Sequence, residues 1–368
     1  MKILFQSRTT LFSVPGGDTV QMLKTAEALR EKGCHVDVTT DLEPDVSSYD
    51  VIHLFNLMRP QEVYLQARNA KRYAKKIALS TIYGRYTEYE KKARHGAAGL
   101  IAKMFSYNQI EYLKIAARAC KNMEFNKGTI LVLSRGYHTL KKRTNAMVDV
   151  FLPNSYSEMR RVIKDHGLND PKFVVVPNAV DAEVFNYEKV TIAPDVEQYK
   201  DCVLCVARIE GRKSQLNLVR AFKGLPYKLV LIGKPAPNHM DYYEMVKRAA
   251  GDNVYFLGHI EHALLPQFYK AAKVHCLISW METPGLSSLE AAAMGCNLVI
   301  TDKGDTRDYF GDYAYYCDPA SVDSIRNAVI EAYKTPVNPG LREHVLRNFT
   351  WEKAAEKTME GYKKALQH

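Results

Sequence analysis

Short apolar runs recur along this chain, each bounded by glycine, proline, asparagine or serine and followed by a longer stretch with helical periodicity. The first round reads KILFQS, a glycine-rich loop and a helix over about 20–32, then HVDVTT, VIHLFN, KIALST, TILVLS, VDVFLPN and FVVVPN. The second reads CVLCVAR, KLVLIG, NVYFLG, VHCLIS, NLVIT and YAYYC. Apolar runs without polar alternation are what strands buried on both faces produce, and strands alternating with helices predict parallel sheets. Two rounds therefore predict an α/β chain of two doubly wound domains, 1–185 and 186–351. Their junction falls in the polar, proline-containing stretch 180–199, and a last helix follows over 352–368.

Size and composition agree with that division. A chain of 368 residues is long for one core and suits two, and 46% hydrophobic with 25% charged residues is the balance of a globular protein. No stretch reaches the roughly 18 uninterrupted apolar residues of a membrane span. The opening MKILFQSR meets Arg8 too early for a signal-peptide core and reads as a first strand, so a cytoplasmic protein is expected. Seven irregularly spaced cysteines fit reduced thiols. Cys202 and Cys205 stand three apart on a predicted strand, which points them to opposite faces and into packing.

Charge is uneven. Residues 59–143 hold 19 Lys or Arg against 5 Asp or Glu, so a net +14 sits there while the whole chain is only +10. The clusters RNAKRYAKK (68–76), KKAR (91–94) and KKR (141–143) flank the apolar LIAKMF (100–105). Such a face suits a peripheral contact with anionic membrane or a diphosphate-bearing acceptor, and equally a solvated helix surface. No nucleic-acid motif accompanies it.

The chemistry concentrates in WMETPGLSSLEAAAMGCNLVIT (280–301), where Glu282 and Glu290 flank a Gly-Leu-Ser-Ser turn. The turn follows an apolar run and precedes a helix-forming segment, so Gly285, Leu286 and Ser287 are expected at a helix N-terminus whose amides attract phosphate. Arg208 and Lys213 follow the CVLCVAR strand, at the edge where open α/β sheets bind ligands, and supply a fork and a point charge. The loop Val14-Pro-Gly16-Gly17-Asp18-Thr19 opens the first helix and places amides near a phosphate. Gly233, and Ile260 between His259 and Glu261, lie on loops after two further strands. No His, Asp or Cys cluster has metal-ligand spacing, and Asp-x-Asp is absent.

Glu282 and Glu290 together resemble the Glu-x7-Glu motif of retaining GT-B glycosyltransferases of family 4, also described as glycosyltransferase group 1. Val206-Ala-Arg208-Ile-Glu-Gly-Arg-Lys213 is similar to that family's Val-Gly-Arg-Leu-x3-Lys. Val176-Pro-Asn-Ala-Val-Asp181 with Phe185, Phe256-Leu-Gly258-His with Leu265 and Tyr269, and Phe349-Thr-Trp351 resemble its other segments, in order. The resemblance covers residues 176–351 and is weaker before them.

It implies two Rossmann-like domains facing a central cleft, with the last helix crossing back onto the first domain. It also implies a metal-independent, retaining hexosyltransferase without a bound cofactor. Its substrate would be a UDP- or GDP-linked sugar, and its acceptor a saccharide or a polyprenyl- or lipid-linked saccharide. The setting would be cell-surface polysaccharide, lipopolysaccharide or glycolipid biosynthesis, at the inner face of the membrane. By the same resemblance Arg208 and Lys213 hold the diphosphate, Glu282 faces the donor sugar, Glu290 binds the ribose, and Gly16 and Gly17 approach the diphosphate. Asp18 and Tyr83 fall on the acceptor or sugar side, Tyr83 standing where many relatives have a histidine. The segment 129–145 reads as an additional strand-loop-helix beside the acceptor. Two other readings compete: a nucleotide-sugar epimerase on the same fold, which product analysis separates because it needs no acceptor, and a non-catalytic nucleotide-sugar-binding module, against which the intact Arg208, Lys213, Glu282 and Glu290 argue.

Overall fold

The computed structural model describes residues 1–93, 107–122, 127–236 and 238–367. The chain forms two compact units: Met1–Thr87, Gly96–Asn178 and Trp351–His368 in the first, Glu88–His95 and Ala179–Thr350 in the second. The expected boundary at 185/186 compares with a change of unit at Asn178/Ala179.

In the first unit β1 (Lys2–Gln6), β2 (His35–Thr39), β3 (Val51–Phe55), β4 (Lys76–Ser80) and β5 (Val150–Leu152) make a parallel sheet ordered β2-β1-β3-β4-β5. Alternate residues of its strands feed opposite layers. Leu4, Ile52, Leu54, Ile77 and Leu79 pack on one face with the helices Pro60–Arg72 and Tyr156–His166. On the other face Phe5, His53 and Phe55 form a ring cluster against Tyr362. Tyr362 belongs to the C-terminal helix Trp351–Leu366, which packs on the helix Gly17–Glu31 and on β4 and β5. The helix Tyr156–His166 shows how the sequence sets its own limits: Ser155 Oγ accepts from the Glu158 amide at 2.8 Å, and Gly167 at φ +62° ends it.

In the second unit β6 (Cys202–Val206), β7 (Leu229–Ile232), β8 (Val254–Gly258), β9 (Ala272–Leu277), β10 (Asn297–Thr301) and β11 (Tyr315–Cys317) give a parallel sheet ordered β11-β10-β9-β6-β7-β8. Successive strands run outward from β6 in one direction, then return to its other side with β9. The carboxyl ends of β6 and β9 thus frame the point where strand order reverses, the usual ligand crevice of such sheets. Cys202 and Leu204 enter the core on one face, Val203 and Cys205 the core on the other. Cys34, Cys202, Cys205, Cys276, Cys296 and Cys317 are free, buried thiols.

Two expected strands differ. TILVLS is not a strand but part of the helix Lys127–Arg135, which buries Val132 and leaves Ile130 exposed, and the helix Tyr137–Asn145 follows it. A short apolar run cannot by periodicity be told from a helix face, and here tertiary packing decides. FVVVPN is extended, and Val174 donates to the Phe151 carbonyl at 3.0 Å, but it forms only an isolated bridge to β5. Residues 94–106, which include part of KKAR and all of LIAKMF, lie outside the described residues. Among the described residues no helix is long and apolar enough to cross a membrane.

The basic run 68–76 is less basic in space than in sequence. Lys71 and Lys76 reach Asp149 at 2.6 and 3.5 Å, while Arg68 and Arg72 reach Glu43 at 3.0 and 3.3 Å. Both carboxylates come from outside the counted window.

Candidate active site

The second unit brings Lys213 and Glu282 together at the strand-order reversal. After β6 the chain crosses Arg208 and enters a single 3-10 turn, Gly211–Lys213. After β9 it runs through Trp280 to the cis peptide Thr283–Pro284 and then Gly285. The Trp280 amide donates to the Arg212 carbonyl at 2.9 Å and joins the two loops, and Lys213 Nζ donates to Glu282 Oε1 in a largely buried ion pair. Burial pushes the Glu282 carboxyl up. The charges of Lys213 and then Arg212, with the Lys213 hydrogen bond, outweigh it and hold the group below the ordinary glutamate range.

The backbone of Glu282 is fixed from the far side as well. Its amide donates to the Lys303 carbonyl at 3.2 Å, and its own carbonyl accepts from the Asp305 amide at 2.9 Å. Gly304 lies between them at φ +94°, where a Cβ would overlap the Glu282 carbonyl. Only glycine lets the strand-like contact form. Glu290 sits in the helix Leu286–Ala293, with one carboxylate oxygen accepting from Tyr269 Oη at 2.9 Å and the other 2.9 Å from His262 Nε2. Gly285 caps that helix at φ +89°, and the first intrahelical bond is donated by Ser288, so the Leu286 and Ser287 amides precede the ladder.

Arg208 is exposed, and among the described residues its guanidinium takes part in no hydrogen bond or ion pair. Gly233 serves its strand: at φ +145° a Cβ there would overlap the Ala207 carbonyl, and its amide donates to the Gly258 carbonyl at 2.6 Å. Ile260 is half-buried against the second unit's core.

In the first unit, Gly16 caps the helix Gly17–Glu31, and its amide donates to Thr19 Oγ1 at 3.1 Å. Asp18 is bound to Arg8 at 2.7 and 3.1 Å and accepts from Asn56 at 3.2 Å. Burial raises its carboxyl, yet Arg8 and Asn56 hold it below the usual aspartate value. Arg8 also donates to the Thr10 and Val14 carbonyls at 2.7 and 2.9 Å, so one guanidinium shapes the whole loop. Asp18 is therefore tied into the loop by Arg8 and Asn56.

Tyr83 is engaged as well. It is fully buried, donates through its hydroxyl to Asp165 at 3.0 Å and stands edge-on to His166, so it packs beneath the loop. Sequence reasoning missed Arg8, Arg212 and His262. Arg8 closes the first apolar run, and its ten-residue distance to Asp18 gives no periodic signal. Among the described residues no group of three or more His, Cys, Asp or Glu side chains could hold a metal ion.

Sheets, crossovers and site position define a class, the GT-B fold of two Rossmann-like domains. Sucrose-phosphate synthase from Thermosynechococcus elongatus shares it at a TM-score of 0.73 and 16% identity, over 99% of this chain and 98% of that one. Anabaena HepE, solved in complex with UDP, shares it at 0.66 and 14%, over 98% and 99%. Within that class, residues 192–348 match the family described as Glycosyl transferases group 1. Similar sequences include O-antigen chain mannosyltransferase B of Escherichia coli, 26% identical over 173 residues. D-inositol 3-phosphate glycosyltransferase of Kribbella flavida is 27% identical over 245 residues. These matches cover 44% and 60% of this chain and 45% and 57% of the relatives, so the chain spans about half the length of the curated relatives it matches.

Proposed function

We propose that this protein is a retaining glycosyltransferase that moves a sugar from a nucleoside-diphosphate sugar to a saccharide or lipid-linked saccharide acceptor. The observation that carries the reading is the pairing of Lys213 with Glu282 at the reversal point of a segment that matches group 1, with the exposed Arg208 on the same loop after β6 as Lys213. Arg208 and Lys213 meet the diphosphate as the bond to the anomeric carbon breaks and its electron pair passes to the leaving oxygen. Glu282, kept ionised, faces the sugar and stabilises the positive charge that develops there. The acceptor hydroxyl adds to the same face of that carbon, and its proton passes to the departing phosphate oxygen, so configuration is retained and no carboxylate nucleophile is needed. Glu290, oriented by Tyr269 and His262, takes the ribose hydroxyls, and the Leu286 and Ser287 amides face phosphate.

That HepE was solved with UDP supports a nucleoside-diphosphate donor. An O-antigen mannosyltransferase among the relatives supports a surface-polysaccharide setting. A lipid-linked acceptor and an anionic membrane face belong to the same proposal, with the contribution of the 68–76 run reduced by Glu43 and Asp149. The reading is tested by incubating purified protein with UDP-, GDP- and ADP-sugars and saccharide acceptors and assigning the anomeric configuration of the product by NMR. An inverted product, or hydrolysis and epimerisation without transfer, refutes it.

Two expected results follow from the charges. UDP, GDP or ADP, whichever is the donor's base, raises the melting temperature, because a ligand of the folded state at 100 times its Kd contributes about 2.7 kcal/mol. EDTA leaves turnover unchanged, because Arg208 and Lys213 supply the positive charge. A loss restored by Mg²⁺ or Mn²⁺ would show that they do not.

A further inference from the structure

The short helix Thr87–Lys92 lies in sequence between elements of the first unit, yet Glu88–His95 packs as part of the second. Its first residues touch all three loops that build the Lys213–Glu282 pair. Tyr89 places its hydroxyl against Gly211, where a Cβ would overlap it, so this glycine admits the tyrosine to the turn that carries Lys213. The Tyr89 ring also meets Trp280, with centroids 6.4 Å apart at 53°. Glu88 binds Lys303 at 3.0 Å and Lys92, on its own helix, at 2.9 Å. Lys303 is the residue whose carbonyl accepts the Glu282 amide.

We propose that Glu88 and Tyr89 are positioning residues, a two-point clamp that sets the distance between Lys213 and Glu282. Tyr89 acts on the Lys213 side through Gly211 and Trp280, and Glu88 acts on the Glu282 side through Lys303. Neither touches substrate. The Glu88–Lys303 pair is about one-third exposed on both sides, so its weight lies in geometry and not in stability. A displacement on the order of 1 Å in such a constellation is enough to cost up to about 100-fold in rate. The turnover arm of the test rests on the glycosyl-transfer reading, while the exchange arm does not.

The test compares Glu88→Gln, Tyr89→Ala and Lys303→Met, with the Glu88→Gln/Lys303→Met double variant, by amide hydrogen exchange and by turnover. The Trp280 and Glu282 amides bond across the loops, so local opening should speed their exchange about 10-fold or more in the single variants. Melting temperature should stay within about 2 °C of the parent in Glu88→Gln and Lys303→Met, because exposed pairs are worth little. Turnover should fall about 10- to 100-fold at unchanged acceptor KM. The double variant should be no worse than either of its singles, because both remove the same contact. Unchanged exchange at both amides in all variants overturns the clamp. Faster exchange with unchanged turnover overturns its positioning role. If the parent transfers sugar from none of the donors, the glycosyl-transfer reading fails and exchange alone decides the clamp.

Discussion

Arg208→Ala is expected to lower turnover by at least ~100-fold while leaving the fold untouched, the scale seen when one preorganised charge stabiliser is removed. The guanidinium is exposed and uses no hydrogen bond or ion pair among the described residues, so its removal should change stability by no more than about 0.5 kcal/mol. Lys213→Ala should cost at least as much rate, but for a different balance of reasons. It takes away the diphosphate cation and also strands Glu282, whose side chain is only 11% exposed. Breaking a buried pair from one side costs about 3–5 kcal/mol, so this variant should also melt earlier. Lys213→Ala/Glu282→Gln separates the effects, since it removes the stranded charge and should recover much of the melting temperature without recovering turnover. Steady-state rates beside calorimetry decide it. Near-parent turnover in Arg208→Ala would remove the diphosphate role.

Mild acid should destabilise the protein well above the range in which carboxylates titrate. His53, His166 and His275 are buried, and burial lowers each to about 3. His53 is held neutral between Tyr362 Oη at 2.7 Å and Ser80 Oγ at 2.8 Å. A folded-state pKa below the unfolded value near 6.5 means that the unfolded chain takes up protons first. The stability these residues contribute is therefore complete above about pH 6.5 and is lost as pH falls from there toward 3. Each neutral imidazole costs about 1.4 kcal/mol per pH unit in that window, or roughly 2 kcal/mol between pH 7 and 5. His53 and His166 share the first unit, which should lose roughly 4 kcal/mol and melt on the order of 10 °C lower at pH 5 than at pH 7. The second unit, with His275 alone, should lose about half. Urea titrations at pH 7, 6 and 5 measure the slopes, and flat stability down to pH 5 would mean that the imidazoles are not held neutral. The lowered Asp18 and Glu282 carboxyls act in the same direction only at lower pH, as it falls through the carboxylate range.

What was legible in the sequence follows from physics that is local in the chain. Strands buried on both faces leave continuous apolar runs, and so β6, β7, β9 and β10 stand where those runs do. The Gly285 turn and its helix, and the glycines at 233 and 285, were visible because backbone geometry restricts residue choice there. What could not be read depends on pairing across sequence distance. TILVLS has strand-like composition, and only its packing makes it a helix. Arg8 holds Asp18, and Asp165 and His166 enclose Tyr83, through contacts that no local spacing announces. The same holds for the basic run, which no window of sequence could show to be answered by Glu43 and Asp149.

The return of the helix Trp351–Leu366 to the first sheet sets an order of events on the ribosome. Residues 179–350 of the second unit are contiguous and have been made before Trp351 emerges. The first unit begins synthesis earlier but lacks Tyr362, which closes over His53. Until those last residues arrive, the ring cluster of Phe5, His53 and Phe55 has no cover, and an imidazole that the folded state keeps neutral is open to water. The unit that starts first is thus the one completed last, and its apolar sheet face stays exposed to aggregation throughout that interval.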